Sequence, residues 1–274
     1  MIFDSHAHYD DDAFDIDREQ LLAQLPASGV TRVVNVGSSA RTTEQSLALA
    51  HKYDYIYAAV GIHPSDVLDY EEGRSVIAIG SDGARGELKT VDMDWLCEAA
   101  ADKKAVAIGE IGLDYYWDEP EREIQKRWFR EQLRVARDLD KPIIIHSRDA
   151  AKDTFDIMKE MGGDKLKAVI HCFSYEPEMA QEFLKLGYYI GIGGVLTYKN
   201  ARKQKEVLSQ MPLERLLLET DCPYLTPVPH RGERNSSLML PLVIKEMAQI
   251  RGISEEEIER ITYENANRFY EIKD

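Results

Sequence analysis

Eight short apolar runs punctuate the chain, at residues 2–8, 32–37, 56–63, 105–111, 142–147, 168–173, 188–193 and 216–221. Runs such as AVAIGE, PIIIH, AVIH and LLLETD are apolar at consecutive positions, the pattern of strands buried on both faces of a parallel sheet. The intervening segments carry helical periodicity. The clearest spans 121–139, where Ile124, Trp128, Leu133, Ala136 and Leu139 fall on one stripe, with Pro120 before it and Lys141-Pro142 after it. A last helix is expected to begin at Ser254, with a capping box to Glu257 and Ile253 placed to staple onto Ile258. Eight strand-then-helix units predict an α/β chain: a single (β/α)8 TIM barrel over residues 1–274 with an additional C-terminal helix, its functional residues at the carboxyl ends of the strands. No linker or low-complexity tract points to a second domain. The stretch 64–91, with glycines at 73, 80, 83 and 86, is expected to be an irregular lid or substrate loop. A second loop, 222–237, is stiffened by three prolines and contains Pro229-His230-Arg231-Gly232.

The ends of five of these runs carry six potential metal ligands: His6, His8, Glu110, His146, His171 and Asp221. Side chains alternate along a strand, so His6 and His8 share one face with Asp4 and can share one ion. Glu219 has the parity of Asp221 and is a candidate orienting or acid/base group. Asp114 shares parity with Glu110 and is divided between loop anchoring and catalysis. Tyr115, Tyr116 and Trp117 could stack on a base or simply pack a wall. Cys172 and Cys222 follow ligand candidates directly and therefore point the other way, as small buried hydrophobes. The run Gly191-Ile192-Gly193-Gly194 has Leu196 where a dinucleotide fingerprint needs its third glycine, so it carries little weight.

Composition narrows the chemistry. With 274 residues, 44% of them hydrophobic, the chain can bury one large core. No apolar stretch suits a membrane span or a signal segment, and three scattered cysteines (Cys97, Cys172, Cys222) give no disulfide framework; the expectation is a cytoplasmic protein. A net charge of −15 argues against gripping duplex DNA by general attraction. It does not exclude a phosphodiester, because two divalent cations would bring about +4 of charge into the pocket.

Seven ordered motifs then meet a known family: Asp4-Ser5-His6-Ala7-His8, Gly61-Ile62-His63-Pro64, Gly109-Glu110-Ile111-Gly112-Leu113-Asp114-Tyr115, His146-Ser147-Arg148, His171-Cys172-Phe173-Ser174, Glu219-Thr220-Asp221 and Pro229-His230-Arg231-Gly232. Across nearly its whole length the chain resembles the TatD-type metal-dependent deoxyribonucleases of the amidohydrolase superfamily. The resemblance implies two divalent metal ions, one held by His6, His8, Glu110 and Asp221 and the other by Glu110, His146 and His171, with Glu110 bridging.

A pair of ions can clamp the attacking and leaving oxygens of a phosphoryl displacement by an activated water, and Asp221 is the carboxylate placed to orient that water and take its proton. His63, Arg148, His230, Arg231 and Glu219 are the candidates for substrate contact or leaving-group protonation. Arg148 could instead pair with Asp149 or Asp153. The expected activity is hydrolysis of DNA phosphodiesters; a preference for single-stranded or 3′ ends comes from the resemblance alone. The ligand mix suits Zn, Mn, Co, Ni or Fe, with Mg at an oxygen-rich position. DNA or a small phosphodiester is the expected partner, with no membrane and no obligate protein. The rival reading is C–N or C–O hydrolysis, as in deaminases, lactonases and cyclic amidases of the superfamily, although those relatives often bridge their metals with a modified lysine where this chain has Glu110. A non-catalytic metal-bound scaffold is the third reading.

Overall fold

The order of elements is β1 (Ile2–Ala7), α1 (Arg18–Gln24), β2 (Val30–Val36), α2 (Ala40–Lys52), β3 (Ile56–Val60), β4 (Ser75–Ile79), β5 (Arg85–Thr90), α3 (Met93–Ala100), β6 (Ala105–Asp114), α4 (Arg122–Asp138), β7 (Ile143–Arg148), α5 (Ala151–Met161), β8 (Ala168–Ile170), α6 (Pro177–Lys185), β9 (Tyr189–Ile192), α7 (Arg202–Gln210), β10 (Leu216–Leu218), α8 (Leu240–Arg251) and α9 (Glu255–Tyr270). They come from a computed structural model that describes residues 1–71, 75–79, 85–117 and 119–273. Each of the eight apolar runs forms a strand. Residue contacts divide the chain into two compact units, Met1–Val34 with His171–Asp274, and Asn35–Ile170.

In the second unit four strands lie side by side in the order β3-β6-β7-β8. All three pairs are parallel, with Ala58 opposite Ala105, Ile145 opposite Ile111 and Ile144 opposite Val169. Ile143, Ile144 and Ile145 are wholly buried, as a strand covered on both faces must be. Each such side chain contributes about 1.5–3 kcal/mol of transfer free energy. The β6–β7 register slips between Ile108 and Ile111, so an extra residue bulges at Gly109-Glu110. Glu110 therefore lies inside a longer strand that runs on to Asp114, three residues beyond the end its apolar run suggested.

Helix α4 covers this sheet with Trp128, Phe129, Leu133 and Ala136, but its buried face also holds Gln125 and Gln132. Gln132 accepts from the Ile62 N–H (2.8 Å) and donates to the Ile62 carbonyl (2.9 Å). Gln125 does the same for Asp114, at 2.8 and 2.9 Å. Two amides seven residues apart on one helix thus fasten the exits of β3 and β6.

The stretch 64–91 corrects the expectation of an irregular loop: β4 and β5 pair antiparallel, Ser75 opposite Thr90. Their residues (SVIAI, then RGELKT) include an apolar run of strand type, obscured by the surrounding glycines. Gly73, Gly80 and Gly83 lie outside the described residues.

In the first unit β1 pairs with β2, which runs across the unit boundary, and β9 pairs in parallel with β10. A bridge between Ala7 and Cys222 ties the end of β1 to the chain beyond β10. Helix α9, capped by Ser254 accepting from the Glu257 N–H, rests on these strands. Tyr270 donates its hydroxyl to the Ser5 carbonyl (2.8 Å), Asn265 donates to the Leu216 carbonyl (2.9 Å), and Phe3 stacks on Tyr270. The runs over 168–173 and 216–221 end early, at Ile170 and Leu218. The backbone turns left-handed at Cys172 (φ 44°) and Asp221 (φ 58°), which breaks the ladder and leaves the candidate ligands His171 and Asp221 beyond the strands.

Candidate metal centres

In the first unit His6 and His8 converge as their alternation requires, with Nε2 atoms 3.0 Å apart. Asp221 Oδ1 stands 3.6 Å from His6 Nε2 and 3.3 Å from His8 Nε2. The left-handed turn that presents Asp221 is fixed by its N–H donating to the His6 carbonyl (2.9 Å) and by the His8 N–H donating to the Cys222 carbonyl (2.8 Å). Asp tolerates that conformation better than most residues. Burial pushes the Asp221 carboxyl up, but the hydrogen bond to His8 and the charges of His6, His171 and His8 outweigh it, leaving it below the usual carboxylate range.

Asp4 lies beneath, wholly buried. One oxygen accepts from the backbone N–H groups of His6 (3.3 Å) and Thr220 (3.1 Å), the other from the hydroxyls of Thr220 (2.7 Å) and Ser237 (2.6 Å). Burial raises its carboxyl to about 6 against the lowering effect of those four bonds. Tyr9 joins the same network through Ser237 (2.7 Å). Asp4 thereby locks β1 to the turn that carries Asp221.

His171 follows β8 directly, and its ring stacks on His6 with centroids 4.1 Å apart and planes 13° from parallel. Glu219, expected to orient, exchange protons or touch substrate, is 1% exposed and accepts from the Cys172 N–H at 2.5 Å. Burial raises it to about 8, the nearby His171 charge and the Cys172 bond pulling the other way. The glycines at 191 and 193 now have a reason: a Cβ at Gly191 would overlap the Glu219 carboxylate, and one at Gly193 the Glu219 backbone. They make room for a buried acid and form no phosphate loop.

The second unit gathers His63, Glu110, Asp114 and His146. His146 has a carboxylate at each nitrogen, Glu110 Oε1 at 2.8 Å from Nδ1 and Asp114 Oδ2 at 2.9 Å from Nε2. His63 Nε2 is 3.8 Å from Glu110 Oε1, and its ring meets His146 edge to face at 4.3 Å. Of the two roles between which Asp114 was divided, loop anchoring is the one its bonds show. One oxygen anchors the loop by accepting from the Tyr116 N–H (2.9 Å), and the other faces His146. Burial raises Asp114, but His146, the Tyr116 bond and the His63 charge bring it below its ordinary value. Gln125 and Gln132 hold the backbone on either flank; their hydrophilic letters inside an amphipathic helix gave no sign of it in the sequence.

Both sets fit a divalent cation. His6, His8 and Asp221 each offer a ligand atom within 4.8 Å of the others, as do His63, Asp114 and His146. Two imidazole nitrogens 3.0 Å apart can share at most one proton, and a cation satisfies both lone pairs together with the carboxylate beside them. Nitrogen and oxygen donors without thiolate select the borderline and hard divalent metals.

The remaining candidates occupy strand ends and loops. Arg148 ends β7 and stacks over the Tyr116 ring, 3.8 Å from its centroid. Asp153, one of its suggested partners, is taken by Lys126 and Tyr115. His230 faces Glu233 (3.1 Å), and Arg231 stacks over Tyr198 at 4.2 Å. Cys97, Cys172 and Cys222 form no disulfide. Among the described residues, no helix is long and apolar enough to cross a membrane.

The profile of TatD related DNases matches residues 3–271. The chain belongs to that family. YabD of Bacillus subtilis, named an uncharacterized metal-dependent hydrolase, is 41% identical over 99% of this chain and 100% of its own length. A Cronobacter sakazakii protein named 3′-5′ ssDNA/RNA exonuclease TatD is 32% identical over 98% of this chain and 97% of its own. The crystal structure of YjjV, a TatD homolog from Escherichia coli K12, superimposes with a TM-score of 0.85 at 30% identity, covering 99% of this chain and 98% of YjjV. This TatD-family chain is accordingly a metal-dependent hydrolase of the (β/α)8 TIM-barrel class.

Proposed function

We propose that the protein is a phosphodiesterase that hydrolyses nucleic acid at exposed single-stranded ends. The observation that carries this reading is the convergence of His6, His8 and an ionised Asp221, in a chain whose Cronobacter relative is named a 3′-5′ ssDNA/RNA exonuclease. His6, His8 and Asp221 would hold one divalent ion; Glu110 and His146, with Asp114 and His63 beside them, would hold a second; His171 is the further imidazole available to the His6 set. Such ions, when bound, supply the positive charge that acidifies a water and neutralises a phosphoryl group in reaction.

The side chains do the rest. Asp221, kept ionised by the neighbouring imidazoles, accepts the proton of the attacking water. Asp4 fixes the turn on which Asp221 stands, so the carboxylate need not reorganise during the reaction. Arg148, Arg231 and His230 contribute charge and protons toward the phosphate and the departing oxygen.

The test uses protein stripped by a chelator and reloaded with Mg, Mn, Fe, Co, Ni or Zn in turn. It is offered bis-p-nitrophenyl phosphate, a single-stranded oligonucleotide, carboxylic esters and aminated purines. Metal-dependent release of p-nitrophenol and of nucleotides is the expected result. Turnover confined to the esters or purines would overturn the reading in favour of C–O or C–N hydrolysis.

A further inference from the structure

We infer that Tyr116 and Trp117, with Arg148, form a platform that stacks one unpaired nucleobase beside the phosphodiester being cut. This rests on the nucleic-acid reading above and adds the residues that select single strands. The three side chains leave the ends of adjacent, paired strands. The β6–β7 ladder finishes with Gly112 opposite His146, Leu113 opposite Ser147 and Asp114 opposite Arg148, and the Tyr115 N–H then donates to the Arg148 carbonyl at 2.9 Å. Arg148 is thus two residues past the candidate ligand His146, and Tyr116 two residues past Asp114. The tie is direct as well, since the Tyr116 N–H donates to Asp114 Oδ1.

The chain sorts its three consecutive aromatics. Tyr115 is tucked in, its hydroxyl donating to Asp153 (2.7 Å) and its ring covered by Arg122 at 4.3 Å. Tyr116 and Trp117 are left 55% and 66% exposed, their rings meeting edge to face with centroids 5.0 Å apart. Scattered exposed hydrophobics are ordinary. Two large neighbouring rings, one covered by a guanidinium and rooted on a candidate metal ligand, are a patch with a direction. A base offers a π-face to such rings, and the guanidinium supplies the cation that a phosphate needs on a chain of net charge −15. A base inside a duplex already stacks on both neighbours and cannot use the platform without being extruded.

The experiment compares the metal-loaded wild type with Trp117→Ala and Trp117→Phe on two single-stranded oligonucleotides. They are identical except that one is abasic next to the scissile phosphate. Stacking contributes about 1–3 kcal/mol per base, so Trp117→Ala should raise KM for the base-bearing strand about 5- to 150-fold. KM for the abasic strand should not move, and Trp117→Phe should restore most of the loss. A second readout needs no turnover: Trp95 and Trp128 are 4% and 9% exposed, so quenching of tryptophan emission by an oligothymidine should come from Trp117 and vanish in Trp117→Ala. Equal losses on both strands, or none on either with quenching retained, would overturn the platform while leaving the nuclease reading intact. A wild type that neither cleaves nor is quenched by any oligonucleotide would overturn both.

Discussion

Replacing Gln132 with leucine tests whether the amide clasp on β3 matters as the geometry demands. Leucine keeps the side chain's approximate volume and removes both bonds, leaving the buried Ile62 N–H and carbonyl without the partners now at 2.8 and 2.9 Å. Each orphaned buried group costs about 1–3 kcal/mol, so the pair costs about 2–6 kcal/mol. Domains are stable by only about 5–15 kcal/mol. The assay is hydrogen exchange at the Ile62 amide, supported by the midpoint of guanidinium unfolding. At about 1.4 kcal/mol per decade, the lower figure alone predicts exchange at Ile62 faster by about 30-fold. Gln125→Leu should do the same to Asp114 and leave Ile62 unaffected. Exchange at Ile62 within about threefold of wild type would refute the reasoning, by showing that water or a neighbour satisfies that backbone without the glutamine.

Asp221→Asn should lower kcat by about 10²–10⁴-fold, the usual worth of an acid/base group, with the circular dichroism spectrum unchanged; turnover within tenfold of wild type would contradict its role. Gly191→Ala puts a methyl into the Glu219 carboxylate and should cost about 1–3 kcal/mol in denaturant unfolding, a loss that shrinks when Glu219 is shortened to serine in the same chain. Hydrogen bonds from Lys126 and Tyr115 hold Asp153 below the usual carboxylate range. Its contribution is therefore present above the unfolded carboxylate value near 4 and lost as pH falls through its lower folded value. Asp153→Asn should cost up to about 1 kcal/mol at pH 7, and essentially nothing near pH 2, in unfolding curves taken at both.

Much of this was legible in the chain because burial on both faces leaves an unmistakable run of aliphatic letters, and because a candidate ligand near a strand's exit stands near the end of such a run. His6, His8, His146 and His171 are all of that kind. Glu110 was found for the same reason, yet its strand was cut short, since a bulge at Gly109-Glu110 has no signature in hydrophobic period. The hairpin in 64–91 went unread because its glycines outweighed a brief apolar stretch. Gln125, Gln132, Thr220 and Ser237 escaped notice for a different cause. Each is a polar residue whose partner lies on another element of the fold, and a polar letter alone does not say whether it faces solvent or a buried group.

Asp4 meets Thr220 across 216 residues and Ser237 across 233. A growing polypeptide therefore exposes His6 and His8 long before it owns the carboxylate that completes their set. Any product that stops short of Ser237 lacks the buried hydroxyl that seats Asp4, and one that stops short of Asp221 lacks a candidate ligand outright. Bringing such remote segments together adds little entropic penalty, about 0.6 kcal/mol for each doubling of the loop. What it imposes is timing: the turn that carries Asp221 can be seated on β1 only after the segment from Thr220 to Ser237 has been made.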